Sequence, residues 1–404
     1  MALVCETTSD RSPTRDPGVI FPAEIWRDIL RRSINPYRGY WCHVIRAREI
    51  ASMVSSSWRG TVKGSPELWC KLYLTDAFST RYMRWCLENT GKTTDILDID
   101  PRGDFLHNHF DLVQDMAGRV CEVMVRSVGD DDIIALLRAL SDLHTPRLNT
   151  LQFFSNVPAV GLESLVCPAG IRLQCLTLQC FKPLWRQPEV YRTLTKLSLA
   201  RFTGTLALEW VLLHFVLSEC GELRDLEISQ CSCTGWKAGT RAVVPSVECL
   251  TWRIEDQQDA EFMGRVELPA LRAFSLQLEH GVTLSMVAAI VPKMLGDAAS
   301  ITLAVTGFQV DDLVSAVPLF ANVAFLNVRQ CGQFAIESLL QVVAVGGRNL
   351  AGVTLLKVKG ALTSTEAESL LRGPFSGNLR IVSWESLKIG CPLRSGSGFW
   401  TAEK

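Results

Sequence analysis

Charge imbalance is the first thing this sequence lacks: 41 Lys and Arg stand against 42 Asp and Glu over 404 residues, a net charge of −1. Bulk electrostatics therefore favours neither nucleic acid nor acidic lipid as a partner. Long hydrophobic runs are missing too. The greasiest stretch, Leu206–Leu217, is interrupted by Glu209 and His214 and falls short of a bilayer span. The opening MALVCETTSDRSPTRDPG has no apolar core of the kind secretory signals use, and the closing Thr-Ala-Glu-Lys offers no lipidation or retention signal. Cysteine is plentiful at 14, but no Cys-x-x-Cys pair occurs. The thiols read as reduced, small apolar side chains, and the expected location is cytoplasmic or nuclear.

Catalytic patterns are equally thin. Thr90-Gly91-Lys92-Thr93-Thr94 resembles the end of a phosphate-binding loop, yet Cys86 stands where the first glycine belongs, and Asp95-Ile96-Leu97-Asp98-Ile99 reads as a strand instead of the required helix. Asp104, His107, His109 and Asp111 crowd one segment without completing a metal-ligand spacing, and a polar loop is the expectation. Cys231 and Cys233 form a lone Cys-x-Cys, and no motif ties either to His214 or His280 as a catalytic base. No paired-carboxylate or Ser-His-Asp arrangement is visible. The expectation is a protein that is not an enzyme and needs no metal or cofactor.

What is present begins at Val19–Trp69. Pro22 suits a first helical turn. Ile25 with Ile29 and Trp26 with Leu30 form an apolar face, and Asn35-Pro36 ends that helix. A second helix is expected from about Arg48 to Val62, with Ile50, Met53, Val54, Trp58 and Val62 on one side. Gly64-Ser65-Pro66 ends it, and Leu68-Trp69 close the unit. Some fifty residues enclose too little core to stand alone, so this unit must share apolar surface with something else.

The stretch resembles an F-box, whose pattern runs Leu-Pro-x-Glu-Leu-Trp…Ile-Leu, Val-Ser-x-x-Trp-Arg, Ser-Pro-x-Leu-Trp. The matching residues are Phe21-Pro22-Ala23-Glu24-Ile25-Trp26 with Ile29-Leu30, then Val54-Ser55 with Trp58-Arg59, then Ser65-Pro66 with Leu68-Trp69. Phe21 in place of leucine and the aromatic insert Asn35–Arg46, with Tyr37, Tyr40 and Trp41, depart from the pattern. The resemblance implies docking on a Skp-type adaptor through Phe21, Pro22, Ile25, Trp26, Ile29, Leu30, Ile50, Val54, Trp58, Leu68 and Trp69.

Beyond it a second grammar recurs, apolar-x-x-apolar-x-apolar. It appears at Leu148…Leu151-Gln152-Phe153, Leu173…Leu176-Thr177-Leu178, Leu194…Leu197-Ser198-Leu199 and Leu223…Leu226-Glu227-Ile228. It continues at Val247…Leu250-Thr251-Trp252, Leu271…Phe274-Ser275-Leu276, Val323…Leu326-Asn327-Val328, Leu350…Val353-Thr354-Leu355 and Leu379…Val382-Ser383-Trp384, with weaker copies near Thr94, Val120 and Ala298. Starts fall 21 (Leu173 to Leu194) to 29 (Leu194 to Leu223) residues apart, the period of leucine-rich repeats. The last two apolar positions of each copy share one strand face. Helices are expected between strands, at Asp130–Leu143, Leu206–Glu219 with Gly221 as its C-terminal glycine, Phe334–Val345 and Ala367–Leu371. Asn156, Cys231 and Cys331 occupy the turn position where leucine-rich repeats place Asn or Cys. The same rhythm also fits a more general α/β solenoid or a curved α/β domain.

The expected architecture is α/β: a flexible tail over residues 1–18, a small helical F-box-like domain over 19–75, a curved leucine-rich-repeat-like solenoid over 76–390, and a C-terminal tail over 391–404. The resemblance implies a substrate-recognition subunit of a cullin–RING ubiquitin ligase, with the solenoid binding a target protein. A repeat scaffold that binds a protein partner outside any ligase is the alternative. The expected target surface is a concave strand face carrying Asp225, Glu227, Ser229, Thr251, Arg253, Ser275, Gln277, Asn327 and Arg329.

Overall fold

The computed structural model describes residues 22–34, 41–75, 78–90, 96–100, 111–115, 118–126, 147–159, 172–181, 188–203, 207–235, 240–279, 301–307, 323–329, 352–356 and 379–381, with 282, 287, 290 and 294. They divide between two units, one drawn from residues 1–126 and 142–147 and the other from 127–141 and 148–404.

In the first unit, Pro22 opens helix α1 (Ala23–Ile34) by offering its carbonyl to the amides of Ile25, at 3.0 Å, and Trp26, at 3.3 Å. Glu24 in the first turn and Arg31 and Arg32 in the last suit the helix dipole. The single helix expected over Arg48–Val62 is two, α2 (Trp41–Val54) and α3 (Ser56–Lys63). The cause is Ser55, extended at φ −160° and ψ 171°, whose Oγ accepts from the Trp58 amide at 3.1 Å. A serine offered that cap leaves the helix to make it. Trp41–Arg46, read as part of an insert, is the first half of α2.

A 3-10 turn (Pro66–Leu68) leads to β1 (Lys71–Thr75), then α4 (Thr80–Asn89), β2 (Ile96–Asp100) and β3 (Glu122–Arg126). The three strands are parallel, in the order β1-β2-β3. The strand repeat thus begins at Lys71, inside the stretch expected to be helical, and this unit continues past residue 75 to Arg126. On β2 the buried Asp98 pairs with Lys71 Nζ at 3.2 Å and Arg126 Nε at 3.1 Å.

The second unit holds ten parallel strands, one per repeat: β4 (Thr150–Ala159), β5 (Cys175–Phe181), β6 (Lys196–Phe202), β8 (Asp225–Cys231), β11 (Cys249–Ile254), β13 (Ala273–Leu278), β14 (Ile301–Thr306), β15 (Val323–Arg329), β16 (Gly352–Leu356) and β17 (Leu379–Ile381). Two minor parallel pairs join β7 (Leu208–Glu209) to β9 (Cys233–Thr234) and β10 (Ala242–Val243) to β12 (Val266–Glu267). Helices α5 (Pro188–Tyr191), α6 (Trp210–Glu219) and α7 (Gln257–Met263) lie between strands. This is a leucine-rich-repeat-like α/β solenoid, since one strand per turn of chain can only be parallel to its predecessor.

Register confirms the motif. Leu151, Leu176, Leu197, Leu226, Leu250, Phe274, Leu303, Leu326 and Val353 align strand to strand, and two positions on so do Phe153, Leu178, Leu199, Ile228, Trp252, Leu276, Val305, Val328 and Leu355. The last copy is corrected: Leu379 and Ile381, not Val382 and Trp384, align with Val353 and Leu355.

Two turn signals also differ. Gly221 follows α6 but is not left-handed, and α6 itself starts at Trp210, four residues later than expected, behind strand β7. Three consecutive strands instead turn on non-glycine left-handed residues, Cys180, Arg201 and Gln230. Each sits two residues past the second apolar position and switches the strand's parity, so that Phe202 and Cys231 point into the core. That switch explains why the repeat's turn residue lies three positions on. There the Cys231 thiol donates to the Leu199 and Ser229 carbonyls at 3.3 and 3.2 Å. Asn156, as a side chain, and Cys331 lie outside the described residues, as do the helices expected at Asp130–Leu143, Phe334–Val345 and Ala367–Leu371.

Candidate functional site

Two surfaces are candidates for interaction, one in each unit. In the first unit, the apolar residues of α1 divide between two directions. Trp26 is 9% exposed and Leu30 4%, and the Trp26 ring lies 4.5 Å from Trp58. Ile25 and Ile29, on the neighbouring stripe, are 44% and 41% exposed. Helix α2 divides likewise: Val44, Ile45 and Ala51 are buried, whereas Ile50, Met53 and Val54 are exposed. The two helices pack on each other, so the unit carries two bare apolar stripes, Ile25-Ile29 and Ile50-Met53-Val54. Spacing of i to i+3 or i+4 puts each set on one side of its helix. The expectation that Val62 shares a side with Ile50 and Met53 fails, because the break at Ser55 resets the helix and Val62 is fully buried.

Of the adaptor-binding residues expected from sequence, Pro22, Ile25, Ile29, Ile50 and Val54 are exposed and Trp58 is half-buried. Trp26, Leu30, Leu68 and Trp69 are instead buried in the unit's own core. Trp69 in particular is locked: its indole donates to the Val62 carbonyl at 2.8 Å, its ring meets Trp85 edge-on at 5.0 Å, and the Arg48 guanidinium lies 4.9 Å from its centre. Arg48 is itself buried and donates to the Lys71 carbonyl at 3.2 Å. Phe21 lies outside the described residues.

In the second unit, the strand face opposite the core forms three rows in register. The first reads Thr150, Cys175, Lys196, Asp225, Cys249, Ala273, Thr302, Phe325 and Gly352. The middle row reads Gln152, Thr177, Ser198, Glu227, Thr251, Ser275, Ala304, Asn327 and Thr354. The third reads Phe154, Gln179, Ala200, Ser229, Arg253, Gln277, Thr306, Arg329 and Leu356. The structure therefore brings all nine expected target-face residues onto one face of the sheet. Asp225, Thr251 and Arg329 are exposed and the other six partly so. A polar ladder follows the strand ends: Arg201 Nε donates to Gln230 at 3.3 Å, Gln230 donates to Glu255, and Arg253 pairs with Glu279 at 2.8 Å. At the other ends of the strands, Thr195, Gly221, Glu222, Arg224, Pro245, Ser246, Glu248 and Ala270 line a cleft of about 560 Å³.

Sequence reasoning missed the Lys71–Asp98–Arg126 cluster, the left-handed turn residues and Asp259. Asp98 is visible as a carboxylate inside a strand, but its cations become evident only with the register of β1 and β3. Asp259, 2% exposed, accepts from the Glu255 amide at 2.9 Å, and burial pushes its carboxyl up to about 6.

Burial pushes the thiols of Cys231 and Cys233 up to about 12, which keeps them protonated at neutral pH. The His214 ring is engaged elsewhere, its Nε2 3.2 Å from the Arg241 carbonyl. Asp111 pairs with Arg84, while Asp104, His107, His109 and His280 lie outside the described residues. Among the described residues no cluster of metal-ligating side chains occurs, and no helix is long and apolar enough to cross a membrane.

The fold defines a class, the leucine-rich-repeat-like α/β proteins. No protein-family model matches the sequence, and no curated protein matches it in sequence. Among solved structures, a chain from the yeast Rad7 and Elc1 complex is similar at 14% identity and a TM-score of 0.39, covering 82% of this chain and 88% of that one. A Bacteroides fragilis protein is similar at 11% identity and a TM-score of 0.35, covering 65% of this chain and 66% of that one. Likenesses this slight carry no functional argument.

Proposed function

We propose that this chain is a substrate-recognition subunit of a cullin–RING ubiquitin ligase. Its N-terminal helices dock on a Skp-type adaptor, and its strand face holds the target protein. The chain performs no chemistry itself; ubiquitin transfer belongs to the other subunits. The observation that carries this reading is the pair of bare apolar stripes, Ile25-Ile29 and Ile50-Met53-Val54, on two packed helices whose Trp26, Leu30, Val44, Ile45 and Ala51 are buried. They fall within the stretch that resembles an F-box. Five large apolar side chains left in water on so short a segment are the mark of a surface that a partner covers.

Purification of the tagged full chain from cells, followed by mass spectrometry, tests the assignment. A ligase subunit brings down a Skp-type adaptor together with cullin and RING subunits. Recovery of the adaptor without cullin or RING assigns the chain to a scaffold instead.

A further inference from the structure

On the strand face of the second unit, Glu227 is the one charged residue of the middle row, which runs from Gln152 on β4 to Thr354 on β16. Its register neighbours are Ser198 on one side and Thr251 on the other. It makes no ion pair among the described residues. Of the nearest cations by register, Arg253, one row away, is turned to Glu279 at 2.8 Å and Glu255 at 4.0 Å, and the exposed Lys196 stands in register with Asp225 in the first row. A second observation falls at the same spot. Ser198 lies on this face, between the core residues Leu197 and Leu199, and is only 6% exposed. Strand alternation puts its hydroxyl on the same side of the sheet as the Glu227 carboxylate, with which it is in register.

We infer that Glu227 is the specificity-determining residue of the strand face and receives one lysine or arginine side chain from the target protein. The short side chains of Ser198, Thr251 and Ser229 leave space around the carboxylate for a long cationic side chain to lie down. Glu227 takes the charge, and the Ser198 hydroxyl accepts a further N–H. A charge-assisted hydrogen bond in a half-buried recess discriminates strongly, because a neutral or acidic side chain there would leave the carboxylate desolvated without compensation. The small neutral residues of the rest of the row accept an extended segment without adding a second charge requirement. This inference rests on the strand face being the target surface, and it holds whether or not the chain joins a ligase.

The test is a selection from a random 12-residue peptide display library on the tagged full chain. The selected peptide's dissociation constant is then measured by fluorescence anisotropy. The expected peptides carry Lys or Arg at one fixed position. Glu227→Gln weakens the selected peptide about tenfold or more without changing the melting temperature, and Glu227→Arg turns the selection towards Asp or Glu at that position. Ser198→Ala weakens the same peptide by a smaller factor. As a control for net charge, Glu189→Gln, outside the strand face, leaves the affinity unchanged. The inference is overturned if the wild-type chain selects no peptide, if no basic position is fixed, or if Glu227→Gln binds as the wild type does. Adaptor capture on the same preparations reports separately on the proposed function. Its loss with peptide binding intact refutes only the ligase reading, and the converse result refutes only this one.

Discussion

Asp259 shows how a single carboxyl ties this fold to pH. It stands in the first turn of α7, where its amide donates to the capping Asp256 at 2.9 Å while its own carboxylate accepts from Glu255. Burial, assisted by the charges of Asp256 and Glu255, raises it from 3.8 to about 6. The folded chain therefore binds this proton more tightly than the unfolded one. The resulting stability is fully present below the unfolded value near 4 and is lost as pH rises through about 6. Asp259→Asn keeps the acceptor and removes the charge. It is expected to raise stability at pH 7.5 by on the order of 1–3 kcal/mol, and to change it little at pH 4.5, so thermal melts at the two values check the sign.

Gly307 supplies a second residue-scale test. Its φ is +82°, and a Cβ there would stand 2.3 Å from the Leu278 carbonyl oxygen. Gly307→Ala should destabilise the second unit by about 1–3 kcal/mol, read by urea denaturation. Neither residue could have been singled out from sequence. Asp259 looks like any first-turn acid, and Gly307 like any loop glycine, until the neighbouring coil is placed against it.

At the scale of elements, the repeat was the most legible feature, because each strand buries two residues two positions apart and every coil repeats the demand. The aligned rows from Leu151 to Val353 and from Phe153 to Leu355 match the motif in every strong copy, and in the weak copy near Ala298 the aligned residues, Leu303 and Val305, lie two positions later than that start implies. Legibility ended where local chemistry competes with periodicity. Ser55 breaks a helix that the apolar spacing would continue, and Leu379 replaces Val382 in the last copy. The helical segment was legible in kind but not in apportionment. Pattern alone puts Ile25 and Trp26 on one broad face, and only packing sends Trp26 to Trp58 and leaves Ile25 bare. Removing the cap with Ser55→Ala should cost about 1 kcal/mol. Amide exchange is expected to quicken first at Trp58, whose N–H loses its acceptor, while exchange in β8 and β11 stays unchanged.

At the scale of the whole molecule, the proposed function divides the work between the two units, with a face for the adaptor on one and a face for the target on the other. The sheet's exposed rows were foreseen in position because strand alternation dictates them. The solitary nature of Glu227 was not, because it depends on which residues stand beside it in register. The central claim is that the bare stripes of α1 and α2 are covered by an adaptor. Ile25 and Ile50 contribute little to the unit's own core, so Ile25→Asp with Ile50→Asp should leave the melting temperature nearly unchanged. In a complex, each buried carboxylate would lack a cation, and losing apolar anchors costs about 2–4 kcal/mol, roughly 30- to 1000-fold in affinity. The most direct measurement is co-purification of the double variant and the wild type with a co-expressed Skp-type adaptor, each preparation checked by thermal melting. The account predicts adaptor with the wild type and none with an equally stable double variant; adaptor recovered equally with both would contradict it.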